Sequence, residues 1–120
     1  MLADDEGIVI DSLKFIIEKE FKDICEVQYA KTGRSVIELA ESFRPDIAVM
    51  DIQMPVMNGY DSTRHIRALE RPDIKSMPII AMSANAFAED IKLCKESGMN
   101  EHIAKPIDFG KVLEILEKYL

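Results

Sequence analysis

The sequence predicts an α/β fold in which helices cover both faces of a parallel β-sheet. Segments of extended periodicity alternate along the chain with segments in which apolar residues recur at helical spacing. Two extended segments, residues 47–50 and 79–82, are apolar without interruption, which is typical of strands buried on both faces of a sheet. A chain of 120 residues has the size of one compact domain, so we expect residues 1–120 to form a single domain.

The first half of the chain predicts three strands separated by two helices. Residues 1–3 form a very short apolar strand, residues 25–30 alternate as a strand does, and residues 47–50 form the third strand. Pro45 ends the second helix. Apolar residues at helical spacing indicate the two helices: Leu13, Ile16, Ile17 and Phe21 in the first, and Val36, Ile37, Leu39, Ala40 and Phe43 in the second.

The second half of the chain predicts two more strands and three more helices. A loop at residues 55–59 is followed by a third helix over residues 61–69. The fourth strand comes next, and then a helix that Gly98 ends. A strand at residues 101–104 precedes the last helix, for which Asp108 is a suitable N-cap.

The composition excludes some classes of function. The net charge of −7 argues against sequence-independent binding of this domain to nucleic acid, which depends on Lys and Arg. The apolar runs are too short to span a membrane, and the chain becomes acidic at Asp4 where a signal peptide would be apolar. Cys25 and Cys94 have no metal-type spacing, so we expect two reduced cysteines in a cytoplasmic protein.

Polar residues follow four of the predicted strands, at the point where each strand ends. They are the acidic residues 4–6, Asp51, Ser83 and Lys105. Because the carboxyl ends of parallel strands meet at one edge of a sheet, we expect these side chains to share a pocket. Clustered carboxylates repel one another unless a cation lies among them, and hard oxygen ligands suit Mg²⁺. A carboxylate in such a site is equipped to attack phosphorus and form an aspartyl-phosphate.

Four segments of the chain resemble, in order and spacing, the CheY-like receiver domains of response regulators in two-component signalling systems. They are Asp4-Asp5-Glu6, residues 50–59, Met82-Ser83-Ala84 and Lys105-Pro106. The resemblance covers essentially the whole chain. It implies a flavodoxin-like, doubly wound sheet of five parallel strands in the order 2-1-3-4-5, with five helices. It also implies a signalling domain of a phosphorelay, which is not an enzyme but assists its own phosphorylation and dephosphorylation.

The same resemblance implies roles in phosphoryl transfer for individual residues. Asp51 is similar to the phosphoacceptor, and Lys105 to the lysine that pairs with the phosphoryl oxygens. Ser83 corresponds to the switch hydroxyl that moves onto the phosphoryl group, although the family more commonly has threonine there. Ala84 is small enough for backbone contact with that group. His102 stands where the family often has an aromatic residue, and it is equally compatible with a partly exposed strand histidine.

The resemblance also implies a metal site and two positions that tune hydrolysis. Asp5 and Asp51 would bind Mg²⁺ directly, Gln53 would offer its backbone carbonyl, and Asp4 would act through water. Gln53 and Asn85 each lie two residues after an active residue, where the family modulates the lifetime of the phosphoryl group.

The resemblance implies a sensor histidine kinase or a histidine phosphotransfer protein as the phosphodonor, and an effector domain or protein as the output partner. A homodimer remains open, and no contact with a membrane is expected. One alternative is a degenerate receiver that binds partners without phosphorylation. Another is a Mg²⁺-dependent phosphatase that forms an aspartyl-phosphate, which usually needs a second carboxylate at the position of Gln53.

The opening strand is shorter than the family pattern, because only three apolar residues precede Asp4. In the expected fold this strand is central, so its shortness removes hydrogen bonds worth about 1 kcal/mol each and buried side chains worth about 1.5–3 kcal/mol each. We therefore expect either that the strand is completed in some other way, for example by a neighbouring chain, or that the domain is only marginally stable.

Overall fold

A computed structural model of the chain describes residues 1–21, 27–43, 45–52, 54, 57–69, 71–83, 88–105 and 107–119. The expected alternation of strands and helices is confirmed. The strands are β1 (Leu2–Ala3), β2 (Tyr29–Ala30), β3 (Ala48–Asp51), β4 (Ile79–Ser83) and β5 (Glu101–Ala104). The helices are α1 (Gly7–Glu20), α2 (Gly33–Ser42), α3 (Gly59–Arg67), α4 (Pro72–Lys75), α5 (Ala88–Ser97) and α6 (Phe109–Tyr119).

The five strands form one parallel sheet in the order β2-β1-β3-β4-β5, as the resemblance implied. Successive side chains of β3 and β4 enter two different apolar clusters, one on each face of the sheet. Met50 and Ile79 belong to the cluster beneath α2 and α3, whereas Val49 and Ile80 belong to the cluster beneath α1 and α6. Because side chains on both faces are buried, the sequences of β3 and β4 are apolar almost without interruption.

The first strand is as short as the sequence indicated, yet it pairs with a strand on either side. Leu2 is in register with Tyr29 of β2 and with Val49 of β3. The N-terminal ammonium group of Met1 donates a hydrogen bond to the carbonyl of Ile47 at 3.0 Å, which extends the contact with β3 by one more group. Completion of β1 by another chain remains a prediction.

The described residues contain six helices, one more than the sequence predicted. The additional helix, α4, is a single turn with Pro72 at its start and Ile74 fully buried. One buried residue gives no apolar stripe, so periodicity could not indicate this helix. The third helix begins and ends two residues earlier than the predicted range 61–69. Its start is fixed by Asn58, whose side chain accepts a hydrogen bond from the backbone N–H of Asp61 and caps the helix.

Two of the predicted signals for helix boundaries, Gly98 and Asp108, are confirmed. Gly98 has φ of 105°, and the N–H of Met99 donates to the carbonyl of Cys94, which closes α5. The Asp108 carboxylate accepts a hydrogen bond from the N–H of Gly110 at 3.0 Å at the start of α6. Within the part of the chain that the structure describes, no helix is long and apolar enough to cross a membrane.

Candidate phosphoacceptor site

Four of the predicted site residues lie at the carboxyl edge of the sheet. Asp51 and Ser83 are the last residues of β3 and β4, while Asp4 and Lys105 directly follow β1 and β5. The strand registers keep these ends level, since Asp51 pairs with Met82, the residue before Ser83. The parallel topology thus brings together side chains that are up to 101 residues apart in the sequence.

The centre of the site is an ion-pair cluster around Lys105. Its Nζ lies 3.0 Å from Asp4 Oδ2 and 3.1 Å from Asp51 Oδ2, and both contacts are hydrogen bonds that the ammonium donates. Glu6 Oε1 is farther away, at 3.6 Å. Asp4 is 0% exposed and Asp51 4% exposed, whereas the Glu6 side chain is 58% exposed. Two buried carboxylates therefore share one cation and leave a net negative charge in the cluster.

The pKa of the Lys105 ammonium reflects two opposing effects. Burial acts to lower it, but the hydrogen bonds and negative charges of Asp4 and Asp51 outweigh burial and raise the pKa above its usual value of 10.5. Lys105 is consequently positively charged throughout the neutral range. It can balance the charge of Asp51 at rest and the charge of a phosphoryl group placed there.

The acidic residues 4–6 lie close enough together to hold a cation. One carboxylate oxygen from each of Asp4, Asp5 and Glu6 lies within 4.8 Å of the other two. Asp4 already uses both oxygens within the protein, because Oδ1 accepts a hydrogen bond from the N–H of Glu6 at 2.9 Å and Oδ2 binds Lys105. Asp5 and Glu6 are exposed, so their carboxylates face solvent. This division suits a direct metal-ligand role for Asp5 better than for Asp4.

Glu6 is the residue of the site whose role the sequence did not indicate. Glu6 is part of the acidic run at residues 4–6, but the resemblance to receiver domains implies no separate role for it. Glu6 lies near Lys105 and near the carboxylates of Asp4 and Asp5, so it is a third acidic group at the exposed side of the site. The only signal in the sequence was its place directly after Asp4 and Asp5.

The hydroxyl of Ser83 is hydrogen-bonded to His102, with 2.9 Å between Oγ and Nε2. The backbone carbonyl of Ser83 accepts a hydrogen bond from the N–H of Lys105 at 2.8 Å, so the two residues have a fixed relative position. The structure therefore places His102 beside the expected switch hydroxyl. Four other predicted or neighbouring positions lie outside the described residues: Gln53, Ala84, Asn85 and Pro106.

A five-stranded doubly wound sheet with buried carboxylates and a lysine at its carboxyl edge is the arrangement that the resemblance to receiver domains implied. The model of the response regulator receiver domain family matches residues 1–117, and the chain belongs to this family. It is therefore a receiver of two-component phosphorelay signalling.

Curated relatives show the settings in which such domains occur. The chain is 30% identical to the polar-differentiation response regulator DivK of Brucella anthropi over 85% of each sequence. It is 32% identical to hybrid signal transduction histidine kinase L of Dictyostelium discoideum and 32% identical to the transcription factor SKN7 of Saccharomyces cerevisiae. The chain spans only 7% and 18% of the latter two, so in them the matched region is a small part of a longer protein.

Solved structures agree with this assignment. The receiver domain of sensor histidine kinase PA1611 from Pseudomonas aeruginosa, which holds a magnesium ion in its active site cleft, has a TM-score of 0.81 at 31% identity. The match covers 98% of this chain and 93% of that one. Chemotaxis protein CheY4 of Vibrio cholerae has a TM-score of 0.89 at 24% identity, over 99% and 95% of the two chains, and shows the shared fold.

Proposed function

We propose that Asp51 accepts a phosphoryl group from a phosphohistidine on a sensor histidine kinase or a histidine phosphotransfer protein. The observation that carries the proposal is the Lys105 ammonium, which binds the buried carboxylates of both Asp4 and Asp51. Burying a charged carboxylate costs free energy unless a cation pairs with it, and Lys105 provides that pairing for Asp51. The resemblance to receiver domains assigns the acceptance of a phosphoryl group to this carboxylate.

In the transfer, an oxygen of the Asp51 carboxylate attacks phosphorus while the phosphorus–nitrogen bond of the donor breaks. The electron pair of that bond stays with the departing imidazole, which takes up a proton, and Asp51 becomes an acyl phosphate. Lys105 exchanges its hydrogen bond to Asp51 for one to a phosphoryl oxygen. Its positive charge therefore pairs first with the carboxylate and then with the phosphoryl group. Its cationic state at neutral pH makes this exchange available without a proton transfer.

The donor set of the site fits Mg²⁺, since clustered carboxylate oxygens are its preferred protein ligands. We propose that Asp5 and Asp51 hold the ion together with the backbone carbonyl of Gln53, and that Asp4 acts through water. The magnesium ion of the PA1611 receiver domain supports this. When bound, Mg²⁺ supplies positive charge to the oxygens of the transferring phosphoryl group.

Phosphorylation then changes the output surface. In our proposal the Ser83 hydroxyl and the backbone at Ala84 engage the phosphoryl group, while Gln53 and Asn85 tune its lifetime. The elements that follow Ser83, namely α5, β5 and α6, rearrange and expose a face for an effector domain or protein, or for a second copy of the chain. Such a switch needs a structural element that can adopt two arrangements, and the charge of the phosphoryl group shifts the equilibrium between them.

A partly apolar cavity opens beside the site. A cavity of about 290 Å³ is lined by both Glu6 and Lys105 and by the exposed side chain of Ile8, which is 76% exposed. We propose that a protein phosphodonor covers this surface when it delivers the phosphoryl group, whereas a small-molecule donor does not need it. The opening therefore supports a protein as the natural phosphodonor.

As a phosphoacceptor that assists its own phosphorylation and dephosphorylation, the domain is proposed to be a signalling module and not an enzyme with a separate substrate. The phosphatase alternative lacks the second carboxylate, since position 53 is Gln. An interaction module without phosphorylation would not need Asp4, Asp51 and Lys105 in one cluster. We further propose that residues 1–120 form one domain located in the cytoplasm, without direct contact with nucleic acid or membrane.

The test uses a radiolabelled small-molecule phosphodonor with Mg²⁺ on the wild type, Asp51→Asn and the matched surface variant Asp46→Asn. Wild type and Asp46→Asn should take up label that hydroxylamine removes, whereas Asp51→Asn should take up none. Equal labelling of all three proteins would refute the assignment. Sustained turnover of phosphate esters by the wild type would favour the phosphatase.

A further inference from the structure

The start of α2 lies against the β3–α3 connection, residues 52–58, of which residues 52, 54, 57 and 58 are described. Gly33, the first residue of α2, is buried, and a Cβ atom placed on it would lie 1.9 Å from the backbone carbonyl oxygen of Met57. Real Cβ atoms essentially never come closer than 3.0 Å to another heavy atom. A side chain at position 33 would therefore force α2 and this carbonyl apart by about 1 Å.

A hydrogen bond and an apolar cluster also join α2 to this part of the chain. The buried Ser62 hydroxyl of α3 donates a hydrogen bond to the backbone carbonyl of Gly33 at 3.1 Å. Ile52 and Met54 of the connection are buried in the apolar cluster that also contains Val36 of α2. The start of α2 is thus packed against both the connection and the first turns of α3.

The start of α3 extends these contacts to Asp51. Gly59 is the first residue of α3, and its N–H donates a hydrogen bond to the carbonyl of Ile52 at 2.8 Å, which closes the connection. A Cβ atom on Gly59 would lie 2.6 Å from the carbonyl oxygen of Asp51. The backbone of the phosphoacceptor is therefore in close contact with the helix whose Ser62 hydroxyl binds Gly33.

The end of β2 joins the start of α2 to the other buried carboxylate. Ala30 is the last residue of β2, three residues before Gly33, and its carbonyl accepts a hydrogen bond from the backbone N–H of Asp4 at 3.1 Å. The Thr32 side chain caps α2 by accepting a hydrogen bond from the N–H of Ser35 at 3.1 Å. The start of α2 is therefore connected to both strand ends that carry a buried carboxylate.

We infer that Gly33 is a positioning residue of the phosphoacceptor site, because only a residue without a side chain lets α2 begin in contact with Met57 and hold the backbone that follows Asp51; this rests on the role proposed for Asp51. The ligand proposed at Gln53 is a backbone carbonyl, which moves with the chain and has no side-chain torsion to compensate for a shift. Phosphoryl transfer is equally sensitive, since it requires closely defined positions of the reacting atoms.

Gly33→Ala tests the inference through Mg²⁺ affinity in calorimetry and the rate of phosphorylation by acetyl phosphate. A shift of about 1 Å should weaken Mg²⁺ binding about tenfold or more and slow phosphorylation by about tenfold to 100-fold. Gly7→Ala is the matched control, because Gly7 is the first residue of α1 at the same edge of the sheet and a Cβ there would lie an ordinary 3.7 Å from Lys31 Nζ. Both quantities should stay at wild-type values in Gly7→Ala, and wild-type values in Gly33→Ala would overturn the inference.

A second control separates positioning from a general loss of stability. Gly98→Ala also adds an unfavourable Cβ, but Gly98 lies at the opposite edge of the sheet, before β5. Each variant is measured where circular dichroism shows it to be fully folded, and Gly98→Ala should then keep wild-type Mg²⁺ affinity and phosphorylation rate. Equal losses in Gly33→Ala and Gly98→Ala would overturn the inference, because destabilisation would explain both.

Ser62→Ala provides the test if Gly33→Ala does not fold, since it removes the hydrogen bond to Gly33 without adding an atom. ¹⁵N NMR in EDTA should show shifted amide signals of Ile52 and Met54 in Ser62→Ala, and Gly98→Ala should leave these signals in place. Unshifted signals together with wild-type Mg²⁺ affinity in Ser62→Ala would overturn the inference. Absence of labelling in the wild type would instead refute the proposed function, and the NMR result would still decide whether α2 positions the backbone after Asp51.

Discussion

Replacing Lys105 by methionine removes the positive charge that two buried carboxylates share. The ammonium nitrogen lies 3.0 Å from Asp4 and 3.1 Å from Asp51, and methionine has a similar reach but no charge. Both carboxylates are almost inaccessible to water, so neither can regain its hydration without a change in the structure. The variant therefore isolates the contribution of one cation to the stability of the sheet edge.

The size of the loss can be worked out from the burial of the partners. Removing one member of a buried ion pair costs about 3–5 kcal/mol, because an uncompensated charge is left behind. Asp4 keeps its hydrogen bond from the N–H of Glu6, which offsets part of this cost. We expect a loss of about 3 kcal/mol, a large part of a typical stability of about 5–15 kcal/mol.

The assay is urea denaturation at pH 7, followed by circular dichroism, with either EDTA or excess Mg²⁺. In EDTA, Lys105→Met should be less stable than the wild type by the amount given above. Mg²⁺ should stabilise the variant more than the wild type, because the ion then meets carboxylates that no lysine neutralises. Lys118→Met is the matched control, since Lys118 binds Glu101 at 2.8 Å but on the exposed surface, where little change is expected.

The pH dependence has a definite sign. The pKa of Lys105 is raised in the folded state, so its contribution is complete below the ordinary value of 10.5 and is lost as the pH rises through the folded-state pKa. The difference between wild type and Lys105→Met should thus be constant from pH 7 to 9 and shrink only above pH 10.5. Equal stability of the two proteins in EDTA at pH 7 would refute the reasoning.

Three other outcomes concern the metal, a helix end and the first strand. Asp5→Asn should weaken Mg²⁺ binding in calorimetry by about tenfold or more, whereas the exposed Asp11→Asn should not, and unchanged affinity for Asp5→Asn would exclude it as a ligand. Gly98→Ala should lower the free energy of unfolding by about 1–2 kcal/mol in urea, because its φ of 105° is unfavourable with a Cβ; an unchanged midpoint would contradict this. Adding four apolar residues before Met1 should raise the thermal midpoint through new sheet hydrogen bonds, and equal midpoints would show that the short strand is no weakness.

The elements with strong local signals were predictable from the sequence. β3 and β4 were indicated by continuous apolar runs, which arise because alternate side chains enter clusters on opposite faces. The end of α5 at Gly98 was marked by the need for a positive φ. By contrast, the single turn of α4 has one buried residue, Ile74, and a single residue has no periodicity to detect.

The sequence predicted which residues form the site, but not which contacts their side chains make. Parallel topology alone indicated that Asp51, Ser83 and Lys105 would meet at one edge of the sheet. That Lys105 contacts Asp4 and Glu6 as well as Asp51 depends on side-chain reach across three strand ends, which spacing does not determine. His102 was noted only through the resemblance, and its bond to Ser83 arises from the register between two strands.

Because β1 is so short, its register with β3 determines which acidic residue is buried beside Lys105. Only Leu2 and Ala3 are in register with β3, and side chains alternate between the faces of a strand. A slip of one residue would withdraw Asp4 from Lys105 and offer Asp5 or Ala3 in its place. The ion pair between Asp4 and Lys105 thus favours the native alignment of β1, in addition to the contact that Lys105 makes with Asp51.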